Sequence, residues 1–274
     1  MATPKNQSVV KAFSMLKSFH TPDEWLTSSE VSRRANLPEA SGYRLIQTLE
    51  EIGAVVRGPR GRYRPGMLLV SLSHNVAIGE LLREASHGIT SALSDRLKLT
   101  IHLGLLEDGM VSYVAKVGAS NGFPIHTRVG AQLEAYCSGL GKVLLAALPD
   151  DQLEGFILDG ELVALTPWTI TDRALLRAEL EKVRARDFAL DDRENQADMR
   201  CLAVPIRDGE GRVVAAMSAS GPADRMTGAR QEEIRAALVE AAIAIGRKVY
   251  PALTPPPRRA TARTPRALLR AAAE

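Results

Sequence analysis

Residues 26–66 read LTSSEVSRRANLPEASGYRLIQTLEEIGAVVRGPRGRYRPG, and the order of signals in this stretch decides the fold. Thr27 followed three residues later by Glu30 predicts a capping box, in which each side chain satisfies a backbone N–H that a new helix would otherwise leave unpaired. Leu26 before the cap and Val31 after it are placed to close a hydrophobic staple over the same turn. Asn36-Leu37-Pro38 then supplies a residue tolerant of left-handed geometry and a proline suited to the start of the next element. The first helix therefore stops near Asn36, and a second runs from about Pro38 to Glu51. Its Leu45, Ile46, Leu49 and Ile52 recur at helical spacing and predict one buried stripe. Gly53 closes it, and two short strands, 54–57 and 62–64, surround Gly58-Pro59-Arg60-Gly61.

Helix, turn, helix and basic hairpin, in that order, describe a winged helix-turn-helix, and they make duplex DNA the first partner to consider. The outer face of the second helix carries Ser41, Gly42, Tyr43, Arg44, Gln47 and Thr48, small, hydrogen-bonding and cationic residues suited to a major groove. Arg57, Arg60, Arg62 and Arg64 put four cations on one hairpin, where they can meet phosphates or enter a minor groove. A helix pair alone is a common packing unit, and a charge run is usually a solvated face; the succession of elements is what favours DNA. Upstream, Ser8 is placed to cap a first helix whose Val9, Ala12, Phe13, Leu16 and Phe19 would cover the other two.

The charge distribution supports two parts with different tasks. Residues 1–66 carry +4 and residues 251–274 another +4, which leaves residues 67–250 at −5 within a chain of +3 overall. With 274 residues and 45% apolar content the chain fits a two-domain soluble protein, without a signal-peptide core or a membrane-spanning run, and a cytoplasmic location is expected. Cys137 and Cys201 are too few for a disulfide framework and lack zinc-site spacing, so no metal and no cofactor are expected. The Pro-, Arg- and Ala-rich tail, 251–274, is expected to be disordered.

Past Gly66, Met67-Leu68-Leu69-Val70 opens a helical linker, 67–80, and Leu81, Leu82, Ala85, Ile89, Leu93 and Leu97 mark the amphipathic helix that begins a second domain, 81–250. Alternating strands at 100–106 and 110–117 flank Asp108-Gly109, a strong hairpin signal. More strand-like sequence follows at 125–129, then helices at 138–147, 150–158 and 171–186, a second hairpin at 200–206 and 212–220, and a last helix at 227–250. Helices around an antiparallel sheet predict an α+β, GAF-like sensor domain of the kind that encloses a small molecule.

Three enzyme readings are weaker. Cys201 or Cys137 with His102 or His126 would make a thiol-based, small-molecule-processing enzyme, with Cys201 the leading nucleophile, but no histidine lies in a nucleophile motif. Gly139-Leu140-Gly141-Lys142 imitates part of a phosphate loop, yet Tyr136 and Val143 stand where that motif needs Gly and Ser or Thr. Asp191, Asp192 and Glu194 form one acidic segment without a second ligand cluster. No catalytic residue is assigned.

The chain from about Ser8 to Tyr250 resembles the IclR family of bacterial transcriptional regulators. The likeness lies in Leu37-Pro38-Glu39-Ala40-Ser41, in Tyr43-Arg44-Leu45-Ile46-Gln47-Thr48-Leu49, in Gly61-Arg62-Tyr63-Arg64, and then in three C-terminal blocks: 138–146, Arg200-Cys201-Leu202-Ala203-Val204-Pro205-Ile206 and Met217-Ser218-Ala219-Ser220-Gly221-Pro222. The resemblance implies a homodimer, often paired again into a tetramer, that represses or activates through operator DNA and binds a small organic acid effector. It also implies effector contacts at Gly139, Leu140, Asp191, Cys201, Ser218 and Ser220. Those residues make chemical sense, since helix-start amides favour a carboxylate and serines two apart on a strand share a side. Tyr136, Phe123 and Met217 are candidate walls for an aromatic acid. Gly42 departs from the family, which usually has a hydroxyl residue there; the change costs about 1 kcal/mol of helix stability relative to alanine and removes a possible DNA contact.

Overall fold

Thr27 forms the expected capping box in the computed structural model of the chain: its N–H donates to Glu30 Oε2 at 2.7 Å, and Glu30 N–H donates to Thr27 Oγ1 at 3.2 Å. The structure describes residues 5–21, 23–118 and 123–250, in two compact units that divide between Val76 and Ala77. The basic tail, 251–274, lies outside the described residues.

The first unit contains α1 (Gln7–Leu16), α2 (Ser28–Arg34), α3 (Glu39–Glu51) and α4 (Met67–Ser73). Its three-stranded antiparallel sheet has the order β1 (Leu26–Thr27), β3 (Arg62–Pro65), β2 (Val55–Arg57). Asn36 adopts φ 56° between α2 and α3, as the turn requires. Met15, Leu26, Val31, Ile46, Leu49, Val55 and Tyr63 meet in one core, each large aliphatic contributing about 1.5–3 kcal/mol by leaving water.

Several expectations change here. Asn6, not Ser8, caps α1, its side chain accepting from the Ser8 and Val9 amides. The buried side of α1 centres on Met15, while Val9 and Phe13 are exposed. Ile52 is exposed too, because α3 ends one residue earlier and the chain turns away. Strand β1 has no counterpart in the sequence reading: two residues have no readable periodicity, and only pairing with Tyr63 and Arg62 makes them a strand. Gly42 does not belong to the outer face of α3. It is buried against α2, where a Cβ would come within 1.9 Å of Ser32 Oγ and 2.8 Å of Ser32 Cβ. The glycine sets how closely the two helices cross, and this offsets its poor helix propensity.

In the second unit a six-stranded antiparallel sheet has the order β6 (Gln132–Glu134), β5 (Met110–Val117), β4 (Thr100–Glu107), β9 (Val213–Pro222), β8 (Met199–Arg207), β7 (Ala189–Asp192). Asp108 (φ 50°) and Gly109 (φ 79°) make the first hairpin turn with both residues left-handed, which matches the strand twist. Helices α5 (Ile78–Leu97) and α9 (Gly228–Val249) cover one face; α6 (Gly139–Ala146), α7 (Asp150–Asp159) and α8 (Arg173–Arg186) belong to the other. Side chains alternate between them along β8 and β9, and a bulge at Val114 shifts the alternation within β5. Ile101, Leu103, Leu202, Val204, Met217 and Ala219 enter the core under α5 and α9, while Tyr113, Ala203 and Ala216 pack with α6. Leu81 lies outside the buried stripe of α5, which instead includes Ser86, Thr90 and Ser94. Segment 125–129 is not a strand: Lys116 Nζ donates to the Ile125 and Thr127 carbonyls, both at 2.7 Å, and takes them out of sheet pairing. Asp191 and Asp192, which the sequence suggests as an acidic loop, belong to β7.

Candidate functional site

The first unit presents an exposed face on α3. Tyr43, Arg44, Gln47 and Thr48 are exposed and Ser41 is half-buried; Thr48 Oγ1 donates back to the Arg44 carbonyl at 3.2 Å, so only its lone pairs are open. The wing is anchored by Trp25, a residue that carries no periodic signal in the sequence. Arg62 Nη1 donates to the Trp25 carbonyl at 3.0 Å, the Arg64 guanidinium lies 4.9 Å from the Trp25 ring centroid, and Gly58 sits against that ring. Arg44, Arg57 and Arg60 form no side-chain hydrogen bond or ion pair among the described residues. Arg60 stands at the wing tip in left-handed backbone, φ 59°. The four wing arginines therefore divide into two that hold the hairpin's base and two that project a free cation.

The second unit encloses a cavity of about 210 Å³ on the α6 side of the sheet. Leu140, Asp191, Cys201, Ser218 and Ser220 all line it. Gly139 stands directly behind, where a Cβ would lie 3.1 Å from Cys201 Sγ. Register explains the convergence: Asp191 pairs with Cys201, Cys201 with Ser220, and Ser218 with His102, so four strands present these groups to one side. Ser138 caps α6 by accepting from Gly141 N–H at 3.1 Å, and the Gly139 and Leu140 amides have no acceptor among the described residues. The Ser218 hydroxyl is buried without a hydrogen-bond partner, an arrangement that costs about 1–3 kcal/mol unless something in the cavity satisfies it.

His102, Tyr113, Thr127 and Gln132 also line the space, beyond the residues expected from the sequence. The His102 and Tyr113 rings lie 5.0 Å apart, and His102 Nε2 bonds to Thr127 Oγ1 at 2.7 Å. Burial, and then the charge of Lys116, hold the His102 imidazole down to about 3, so it is neutral. Burial also keeps the Tyr113 phenol protonated far above its ordinary range. By contrast Tyr136, Phe123 and Met217 do not line the cavity. Tyr136 exchanges hydrogen bonds with the Val163 backbone, and Met217 faces the opposite side of the sheet.

The groups that imitate catalytic motifs have structural partners. Burial pushes the Cys201 thiol up to about 11 and the Cys137 thiol up to about 12, which disfavours a thiolate nucleophile at neutral pH. Lys142 is 1% exposed, its Nζ donating to the Leu190 carbonyl at 2.6 Å and pairing with Glu194, so it cannot reach a phosphate. The three carboxylates of 191–194 diverge, Asp192 to Arg200 and Arg193, Glu194 to Lys142, Asp191 into the cavity wall. Among the described residues no cluster could hold a metal ion, and no helix is long and apolar enough to cross a membrane. A larger surface groove, about 770 Å³, has its arginines already paired, Arg184 with Asp150, Arg207 with Asp187 and Arg212 with Asp208.

Known proteins agree with this division. A family profile described as the IclR helix-turn-helix domain matches residues 8–59, and one described as the bacterial transcriptional regulator IclR C-terminal domain matches residues 75–247. The HTH-type transcriptional regulator XynR of Escherichia coli (strain K12) is 32% identical over 251 residues, which is 91% of this chain and 100% of that protein. The crystal structure of the Thermotoga maritima IclR superposes with a TM-score of 0.59 at 32% identity, covering 89% of this chain and 98% of the other. An IclR homologue from Microbacterium hydrocarbonoxydans, solved in complex with 4-hydroxybenzoate, matches with a TM-score of 0.59 at 26% identity over 88% of this chain and 98% of its own.

Proposed function

The chain belongs to the IclR family of bacterial transcriptional regulators, and from this premise we propose that it is a ligand-responsive regulator of a catabolic operon whose hold on DNA answers to a small organic acid. That it is a DNA-binding regulator follows from the family; the effector, the residues that meet it and the assembly are our reading. The observation that carries it is that the unpartnered Ser218 hydroxyl and Leu140 line one space beside the start of α6, where the Gly139 and Leu140 amides have no acceptor among the described residues. A carboxylate in that space would accept from all three, as anions do at helix starts.

In this reading Tyr43, Arg44, Gln47, Thr48 and Ser41 meet base edges and phosphates in a major groove, and Arg57 and Arg60 of the wing reach the adjacent backbone. Two copies place their recognition helices about 34 Å apart on successive turns, as a homodimer or a dimer of dimers, in the cytoplasm. The 4-hydroxybenzoate complex of the Microbacterium homologue, together with the His102 and Tyr113 rings in the wall, favours an aromatic acid. DNA affinity can shift only by as much as the acid prefers one state of the protein over the other.

A thermal-shift screen of metabolic acids against the full chain tests the effector, because a ligand that binds only the folded state must raise the midpoint. For DNA, Arg44→Ala or Gln47→Ala is expected to weaken operator binding by about 1–3 kcal/mol for each base edge the side chain no longer reads. Unchanged affinity in a gel-shift titration removes that residue from the interface.

A further inference from the structure

The cavity has an imbalance of charge that an incoming acid would increase. Asp191 is 1% exposed, and its Oδ1 accepts only from the amides of Glu194 at 2.8 Å and Asn195 at 3.4 Å. The charged and titratable groups facing it are few. From β8 comes the Cys201 thiol; from α6, Lys142, held by the Leu190 carbonyl and Glu194; from the turn after β7, Glu194 itself. The segment before α6 brings Cys137, β5 brings Tyr113, β4 brings His102, and the 125–127 segment brings His126. Lys116, beside His102 on β5, is held by two carbonyls. Among the described residues no lysine or arginine lines the space.

The donors that await a carboxylate are therefore neutral: two backbone amides, the Ser218 and Ser220 hydroxyls and the Tyr113 phenol. An anion entering would stand near a buried carboxylate, with dipoles beside it and with the nearby cations already engaged, Lys142 by Glu194 and the Leu190 carbonyl and Lys116 by two carbonyls. Two carboxyl groups brought together in such a place share a proton, since both cannot stay ionised.

We propose that this cavity takes up its organic acid together with one proton from solvent, held between the ligand's carboxylate and the carboxyl of Asp191. Where Asp191 is ionised beforehand one proton is consumed per acid bound, and where it already carries the proton none is taken up; no other bond forms or breaks. Asp191 thereby acts as a specificity-determining residue, favouring a partner that can share a proton and linking the sensor's response to pH. The inference rests on the organic-acid reading of the site. Burial, and then the charge of Glu194, raise the Asp191 carboxyl to about 7, with Lys142 opposing, so the proton is available near neutrality. A neutral, hydroxyl-rich ligand would reverse the sign, because an ionised Asp191 would accept its O–H groups and binding would strengthen as pH rises.

Calorimetric titration of the full chain with benzoate and with 4-hydroxybenzoate, in buffers of different ionisation enthalpy at pH 6 to 9, tests this. Close to one proton is taken up per benzoate at pH 8, and affinity falls about tenfold per pH unit above pH 7. Asp191→Asn binds benzoate without proton uptake and with flat affinity over that range; His126→Asn, whatever it does to affinity, retains the uptake. Binding by the natural chain without proton uptake, affinity that rises with pH, or uptake lost in His126→Asn and kept in Asp191→Asn overturns the proposal. Absence of any binding heat with either acid is a different failure: it removes the organic-acid reading and this inference with it.

Discussion

The two faces of the six-stranded sheet are built from the same strands and differ in almost every physical respect. Along β9, Met217 and Ala219 enter a core closed by α5 and α9, whereas Ser218 and Ser220, one residue on in each case, enter a cavity. On the first face the strands present apolar side chains, with Ile101, Leu103, Leu202 and Val204 fully or almost fully buried. The second holds a buried acid, a neutral imidazole, a hydroxyl without a partner and a lysine–glutamate pair. A β-strand's period of two lets one sequence meet both demands, with stability supplied on one side and recognition on the other. Buried polar groups that lower stability are tolerated on the recognition face because the opposite face provides the apolar burial.

This contrast can be broken most severely at Lys142, where the polar face carries its own structural link. Lys142→Ala leaves Glu194 buried and unpaired, and is expected to cost about 3–5 kcal/mol in denaturant unfolding; a loss below about 1 kcal/mol would mean that the pair does not hold α6 to the β7 edge. On the apolar face, Leu103→Ala is expected to cost about 2–5 kcal/mol while leaving acid binding by the remaining folded protein intact. Asp191→Asn sharpens the comparison with a gain. A carboxyl raised from 3.8 to about 7 in the folded state contributes its full share of stability below the unfolded value and loses it as pH rises through the folded one. The variant is therefore expected to exceed the natural chain by on the order of 2–4 kcal/mol at pH 8, and to match it near pH 4. Equal melting at both pH values would contradict the burial argument. The smallest expected change in stability, under about 1 kcal/mol, belongs to Ser218→Ala with Ser220→Ala, which nevertheless abolishes the response of DNA binding to acid. A double variant that still responds normally moves the acid site elsewhere.

How much of this is legible in the sequence depends on how local each signal is. The capping box at Thr27, the turn at Asn36 and the Asp108-Gly109 hairpin are decided within a few residues, and they fold as read. Serines two apart at 218 and 220 announce a shared side of a strand. The errors lie where a distant partner decides. Gly42 reads as an outer-face residue until Ser32 on the neighbouring helix is in place. The 125–129 segment alternates like a strand, but Lys116 binds its carbonyls. His102 reads in the sequence only as a candidate partner for a thiol, and the register that sets it beside Ser218 makes it a cavity residue. Trp25 gives no periodic signal, and its place beneath the wing depends on the arginines of β3. Placing Met217 in the cavity wall conflicts with the alternation that exposes Ser218 and Ser220 there and sends Met217 the other way, a correction the sequence itself contains.

The most direct test follows fluorescence anisotropy of the full chain on its own promoter fragment across a salt series, with and without benzoate. The account predicts attachment whose affinity falls steeply and linearly in log–log form with salt, and a midpoint that moves when benzoate is added to the natural chain and stays fixed in the Ser218→Ala, Ser220→Ala double variant. Binding that ignores salt, or a midpoint that benzoate leaves unmoved in the natural chain, would contradict it.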